Sequence, residues 1–172
     1  MLIELRRHSV RAPGSDCLSP EGIALAKMVG GLCCQGKGYT LIAGTTLFRT
    51  AQTAAALAEG AGDFSVTELR QFRTLNTWRD WQSYFKENDC VIVPEEPLIK
   101  AESRRMALDL IDELDGLPDS THLLAIGHTP LIECLIFGLF NRVTPPLREL
   151  DGVIIEYEGG EFRFIEELRD GH

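Results

Sequence analysis

The chain has 172 residues, 44% hydrophobic and 25% charged, with a formal charge of −9. This is the balance of a globular domain rather than a disordered or fibrous chain, and the length suits one domain with a single core, spanning residues 1–172. So acidic a molecule repels nucleic acid and anionic membranes at long range, which argues against both as partners.

No apolar run approaches the roughly 18 residues of a membrane span, and the opening segment lacks the apolar stretch of a signal peptide. The expected location is the cytoplasm. Cys17, Cys33, Cys34, Cys90 and Cys134 are scattered and odd in number, with no zinc-ligand spacing, and read as reduced thiols. Oligomeric state is not legible. The charge is uneven: Arg6, Arg7 and Arg11 cluster without an acid between them, whereas the segment after Arg148 is rich in Glu and Asp. An anionic substrate would be drawn to the first of these regions.

In chain order, Leu2–Leu5 reads as a strand ending at Arg6-Arg7-His8-Ser9, followed by a loop marked by Gly14 and Asp16. Ser19-Pro20-Glu21 opens a helix, since Ser caps well, Pro suits the first turn and an acid there suits the dipole; Gly36 and Gly38 stop it after about Cys34. Tyr39–Ala43 is a second strand, Thr45-Thr46 caps a helix over Leu47–Glu59, and a third strand lies near Phe64–Leu69. The stretch from Arg70 to Pro97 has no clean period; Trp78, Trp81 and Phe85 fall at helical spacing and suggest a small lid inserted at about residues 70–100. There Arg70, Arg73 and Arg79 could select further negative charge. Ala101–Leu114 has a helical period, and Leu123–Ile126 is an apolar strand ending in Gly127-His128. Thr129-Pro130 caps a helix to about Phe140, and the tail alternates as a hairpin around Gly159-Gly160, its acids a solvated face. Alternating strands and helices predict an α/β domain, a three-layer α/β/α sandwich with a mostly parallel central sheet.

Three segments each follow a strand and precede a helix, where open α/β sheets bind ligands. They are Arg7–Pro13, Thr45–Ala54 and Gly127–Pro130. Together they bring two histidines and three arginines to helix N-termini, whose free amides favour anions. Arginine recognises phosphate bidentately, and neutral histidine is a nucleophile at pH about 7. The set points to phosphoryl transfer, and the arginines would repel a cation, so no metal or other cofactor is expected. His122 and His172 join no motif and are assigned to the surface.

Arg7-His8-Ser9 resembles the Arg-His-Gly motif of the histidine phosphatase superfamily. Leu18-Ser19-Pro20-Glu21-Gly22…Ala26 is similar to the segment that follows it there, Thr45–Ala54 to its Ser-x-Leu-x-Arg-x-x-Gln-Thr-Ala helix start, and Leu124–His128 to the strand that delivers a second catalytic histidine. The resemblance implies a phosphoglycerate mutase-like fold and makes His8 the nucleophile, with Arg7, Arg49 and His128 completing the phosphate pocket. It places Arg11, and Ser9 where the family has Gly, against the substrate. The size is closest to the small phosphohistidine phosphatases.

The proton donor is less plain. Thr129 stands where the acid phosphatase branch has its Asp, and Glu68, with Glu133 behind it, is the candidate. The expected activity is metal-independent hydrolysis of a phosphohistidine protein or a small phosphorylated metabolite, through a phosphohistidine on His8. The rivals are a phosphomutase and a weak or inactive phosphate- or phosphopeptide-binding module.

Overall fold

The computed structural model describes residues 1–62, 69–75 and 89–170. β1 (Leu2–Arg7) is followed by α1 (Pro20–Val29), which runs on as a π-helical turn over Gly30–Cys34. Ser19 caps α1 by accepting from the Gly22 amide, and positive φ at Gly36 and Gly38 closes the segment. β2 (Leu41–Gly44) leads into α2 (Phe48–Ala61), and β3 (Leu69–Gln71) into a 3₁₀ turn at Arg73–Leu75. α3 (Pro97–Leu114), β4 (His122–Gly127), α4 (Leu131–Phe140) and the hairpin of β5 (Gly152–Glu158) and β6 (Glu161–Leu168) complete the chain.

The six strands form one sheet in the order β3-β2-β4-β1-β5-β6. Pairs β1–β4, β2–β4 and β2–β3 are parallel, while β5 and β6 add antiparallel strands at one edge. Strand alternation sends side chains to two cores. On one face Ile3, Leu5, Leu123 and Ala125 pack with Met106, Leu110, Leu135 and Ile136 of α3 and α4. On the other, Leu124 and Ile126 pack with Ala26, Val29, Ala54 and Leu57 of α1 and α2. The α/β/α sandwich read from the sequence is therefore the fold.

The α1/α2 face also buries charge. Glu4 and Arg6 are fully buried, with Arg6 Nε 2.5 Å from Glu4 Oε1. Lys37 Nζ (2.8 Å) and the Tyr39 hydroxyl (2.6 Å) donate to the other Glu4 oxygen, and Arg6 donates on to Leu150 O and Asp170. Burial would raise the Glu4 carboxyl, but Arg6, Lys37 and Tyr39 hold it below its ordinary value. Arg6, read as part of an anion-attracting run, is thus a structural ion.

Element boundaries differ in small ways with local causes. Thr45 and Thr46 do not cap α2; its cap residue is Leu47, and Asp16 accepts from the Phe48 amide instead. Thr129 does not cap α4, because its hydroxyl lies 2.9 Å from Glu133 Oε1 and 3.1 Å from Leu147 O. β3 begins at Leu69, and Phe64 lies outside the described residues, as do Trp78, Arg79, Trp81 and Phe85 of the expected lid, and His172. His122 is half-buried rather than a surface residue, its Nδ1 2.7 Å from Lys37 O and its ring against Tyr39.

Candidate active site

A cavity of about 210 Å³ opens where the three strand-end segments meet, lined by Arg7, His8, Arg11, Arg49, His128, Thr129 and Glu149. β1 and β4 are parallel neighbours with Arg7 opposite Gly127, so His8 and His128 leave the sheet side by side. Their rings lie 5.0 Å apart, edge to face. α1 fixes the loop after β1 by close backbone approach. A Cβ on Gly22 would come within 2.0 Å of Val10 O, the Ser19 amide donates to Val10 O, and the Ser9 hydroxyl donates to Gly22 O.

His8 is 8% exposed. Its Nδ1 lies 2.7 Å from Ser9 O, a carbonyl that can only accept, so Nδ1 carries the hydrogen and the lone pair is on Nε2. Burial, opposed by that carbonyl and reinforced by Arg49 and Arg7, pushes the His8 pKa down to about 4. The imidazole is therefore neutral and nucleophilic through most of the physiological range.

His128 is 3% exposed and held in the complementary tautomer. Arg49 Nη2 lies 3.3 Å from its Nδ1, and a guanidinium can only donate, so the hydrogen sits on Nε2, 3.1 Å from Thr45 Oγ1. Burial first, then His8, Arg49 and Arg7, lowers its pKa to about 2. Both rings are neutral beside two fixed cations.

The arginines are restrained but not used up. Arg7 donates to Leu147 O (2.6 Å) and Glu149 (2.7 Å), whereas Arg49 pairs with Asp16 and His128. In each, Nε is buried with no hydrogen-bond partner. Buried donors without acceptors are costly, and here two of them belong to arginines walling one cavity. The arrangement is built to take an oxyanion.

Of the residues expected at the site, the cavity brings together His8, Arg7, Arg11, Arg49 and His128. Ser9 does not line it: the residue is fully buried, its hydroxyl bonded to Gly22 O and its amide to Thr53. Glu133 is also fully buried and absent from the lining. Its Oε1 accepts from the Leu147 amide (2.7 Å), and burial pushes its pKa up to about 7. Glu68 lies outside the described residues. Arg70 and Arg73 do not line the cavity, and Arg73 Nε lies 3.9 Å from Glu113.

Asp16 and Glu149 also belong to the site, and neither carries a local signal in the sequence, because each sits in a loop without periodicity. Glu149 lies just past Pro145-Pro146, in a segment read only as acidic. A larger groove, about 600 Å³, runs between α3 and α4 past Lys100, Arg104, Phe137 and Asn141. It has no histidine in its lining and reaches the far end of α4 from His128, about 15 Å away.

Comparison of structures bears on the fold. A phosphoglycerate mutase from Bacillus anthracis superposes with a TM-score of 0.70 at 18% identity, covering 99% of this chain and 93% of that one. A phosphoserine phosphatase from Entamoeba histolytica, solved with 3-phosphoglyceric acid, gives 0.69 at 15% identity, covering 97% and 96%. The protein histidine phosphatase SixA, complexed with tungstate, gives 0.65 at 16%, covering 99% and 97%. The fold is phosphoglycerate mutase-like. No protein-family model matches the chain, and no curated protein does.

Proposed function

We propose that the chain is a metal-independent phosphatase of the histidine phosphatase superfamily that works through a covalent phosphohistidine on His8. The observation that carries this reading is the His8 tautomer. Nδ1–H is tied to Ser9 O, so the only ring lone pair is on Nε2, in a cavity walled by Arg7, Arg11 and Arg49. Nε2 attacks phosphorus in line with the leaving oxygen, and the proton stays on Nδ1, donated in a hydrogen bond to Ser9 O, throughout. Arg7 and Arg49, fixed cations in the cavity wall, stabilise the equatorial oxygens as charge shifts onto them. His128, neutral between Arg49 and Thr45, adds bulk without a repelling charge. Water then cleaves the phosphohistidine.

The substrate class that fits is a phosphohistidine protein or a small phosphorylated metabolite; the likeness to both SixA and the phosphoserine phosphatase supports either. The expected location is the cytoplasm, and no nucleic acid or membrane is needed.

The test is hydrolysis of an aryl phosphate with EDTA present, from about pH 4 to 8, by the wild type and His8→Ala. Turnover that survives chelation and is lost in His8→Ala, with an acid-labile, base-stable phosphoenzyme in the wild type alone, is the expected result. A wild type that binds vanadate but turns nothing over would leave a phosphate-binding module in place of an enzyme.

A further inference from the structure

We propose that Glu149 carries the proton of this reaction, to the leaving oxygen in the first step and from water in the second. The inference rests on the phosphatase reading above and deepens it.

Among the described residues, Glu149 is the one carboxyl that lines the cavity. The other proton-bearing groups near it are committed. The Thr129 hydroxyl lies between Glu133 and Leu147 O, and His128 Nε2–H faces Thr45. His8 is the nucleophile, and arginines do not give up a proton. Asp16 has one oxygen on Arg49 and the other on the Phe48 amide at the start of α2. Glu133 is sealed in the interior. Glu149 has Arg7 as its partner, lines the cavity as Asp16 and Glu133 do not, and its side chain is 34% exposed, open to exchange with water.

Its placement is also enforced. The next residue, Leu150, is fully buried with φ +65°, a left-handed conformation that is costly for a branched side chain. The Leu150 amide donates to Arg7 O (3.2 Å), and Leu150 O accepts from Arg6 Nη1 (2.8 Å). A strained turn pinned at both ends thus presents one carboxyl to the cavity that holds the nucleophile.

An incoming phosphoryl dianion takes over donors on Arg7. The carboxyl that the dianion displaces from Arg7 takes from solvent the proton that it delivers. When Nε2 bonds to phosphorus and the P–O bond breaks, the Glu149 proton moves to the departing oxygen, releasing an alcohol and a carboxylate. In the second step the carboxylate takes a proton from the water that attacks phosphorus. The P–N bond breaks, and neutral His8, hydrogen phosphate and protonated Glu149 result.

The test is leaving-group dependence in Glu149→Gln. A p-nitrophenyl leaving group departs with little protonation, whereas an alkyl phosphate requires it, and general acids contribute roughly 10²–10⁴-fold. The expected result is a fall in kcat of about 100-fold or more on the alkyl phosphate and less than about 10-fold on the aryl one, with Glu149→Asp recovering part of the alkyl activity. Equal losses on both substrates would make Glu149 a positioning group for Arg7 and overturn the proposal. So would unimpaired alkyl turnover or tighter vanadate binding without the selective loss. A wild type inactive on both substrates removes the phosphatase reading itself, whereas an active wild type without the selective loss in Glu149→Gln removes only this inference.

Discussion

Arg6 and Arg7 are neighbours on β1, and the pleat sends them to different fates. Arg6 is fully buried, and Glu4, Leu150 O and Asp170 take its Nε and both Nη nitrogens. Arg7 is bonded at both Nη nitrogens but keeps a buried, unpartnered Nε at the wall of the His8 cavity. Both networks are ionic, so charge alone does not tell them apart. Saturation does. The Arg6 network has its acceptors inside the protein, and Arg7 keeps an Nε donor without one.

Breaking the saturated network should give the largest effect on stability. Glu4→Ala strands Arg6 and Lys37 without their shared carboxylate, and loss of one partner of a buried pair costs about 3–5 kcal/mol. Urea unfolding is expected to show that loss, while the fraction that stays folded keeps its aryl phosphatase activity. Arg7→Met should do the reverse. A kcat lower by about 10²–10³-fold is expected, as for removal of one oxyanion donor, with little change in the unfolding midpoint; a midpoint shift as large as that of Glu4→Ala would erase the distinction between the networks.

The third test separates them by pH. Glu133 braces the Leu147 loop that holds Arg7, and its pKa stands at about 7 in the fold against about 4.3 unfolded. The folded state therefore holds a proton the unfolded chain has lost, and this contribution to stability is full below about pH 4 and is lost as pH rises to 7. Glu133→Gln should remove that slope, so the difference in Tm between variant and wild type grows from about pH 4.5 to 7.5 and then levels off. A difference independent of pH would show that burial leaves this carboxyl unshifted. The smallest effect belongs to the exposed pair Lys27–Glu59, which bridges α1 and α2 at 2.5 Å. Lys27→Ala is expected to change stability by less than about 1 kcal/mol and activity not at all.

The sequence makes the layers and most of the pocket legible for one reason: both follow from short-range pattern. The apolar run Leu123–Ile126 and the helical period of Ala101–Leu114 announce their elements, and His8, Arg49 and His128 each stand just past a strand or in a first helical turn, where the topology has to gather them. What stayed hidden depends on partners distant in sequence. Glu4 and Arg6 look like ordinary strand residues until Lys37 and Asp170 arrive, and Ser9 looks like a pocket floor until Gly22 O takes its hydroxyl. Glu149 owes its place to a left-handed Leu150, which no local propensity predicts. Glu133 did leave a mark, as the lone acid in the otherwise apolar run Leu131–Phe140.

The position of β1 in the sheet has a consequence for folding. Its two neighbours are β4 and β5, and Arg6 finds one of its acceptors on Asp170, 164 residues along the chain. The strand that ends at His8 is therefore held by contacts that span most of the chain, and the cavity is expected to form with the whole sheet rather than as a local unit.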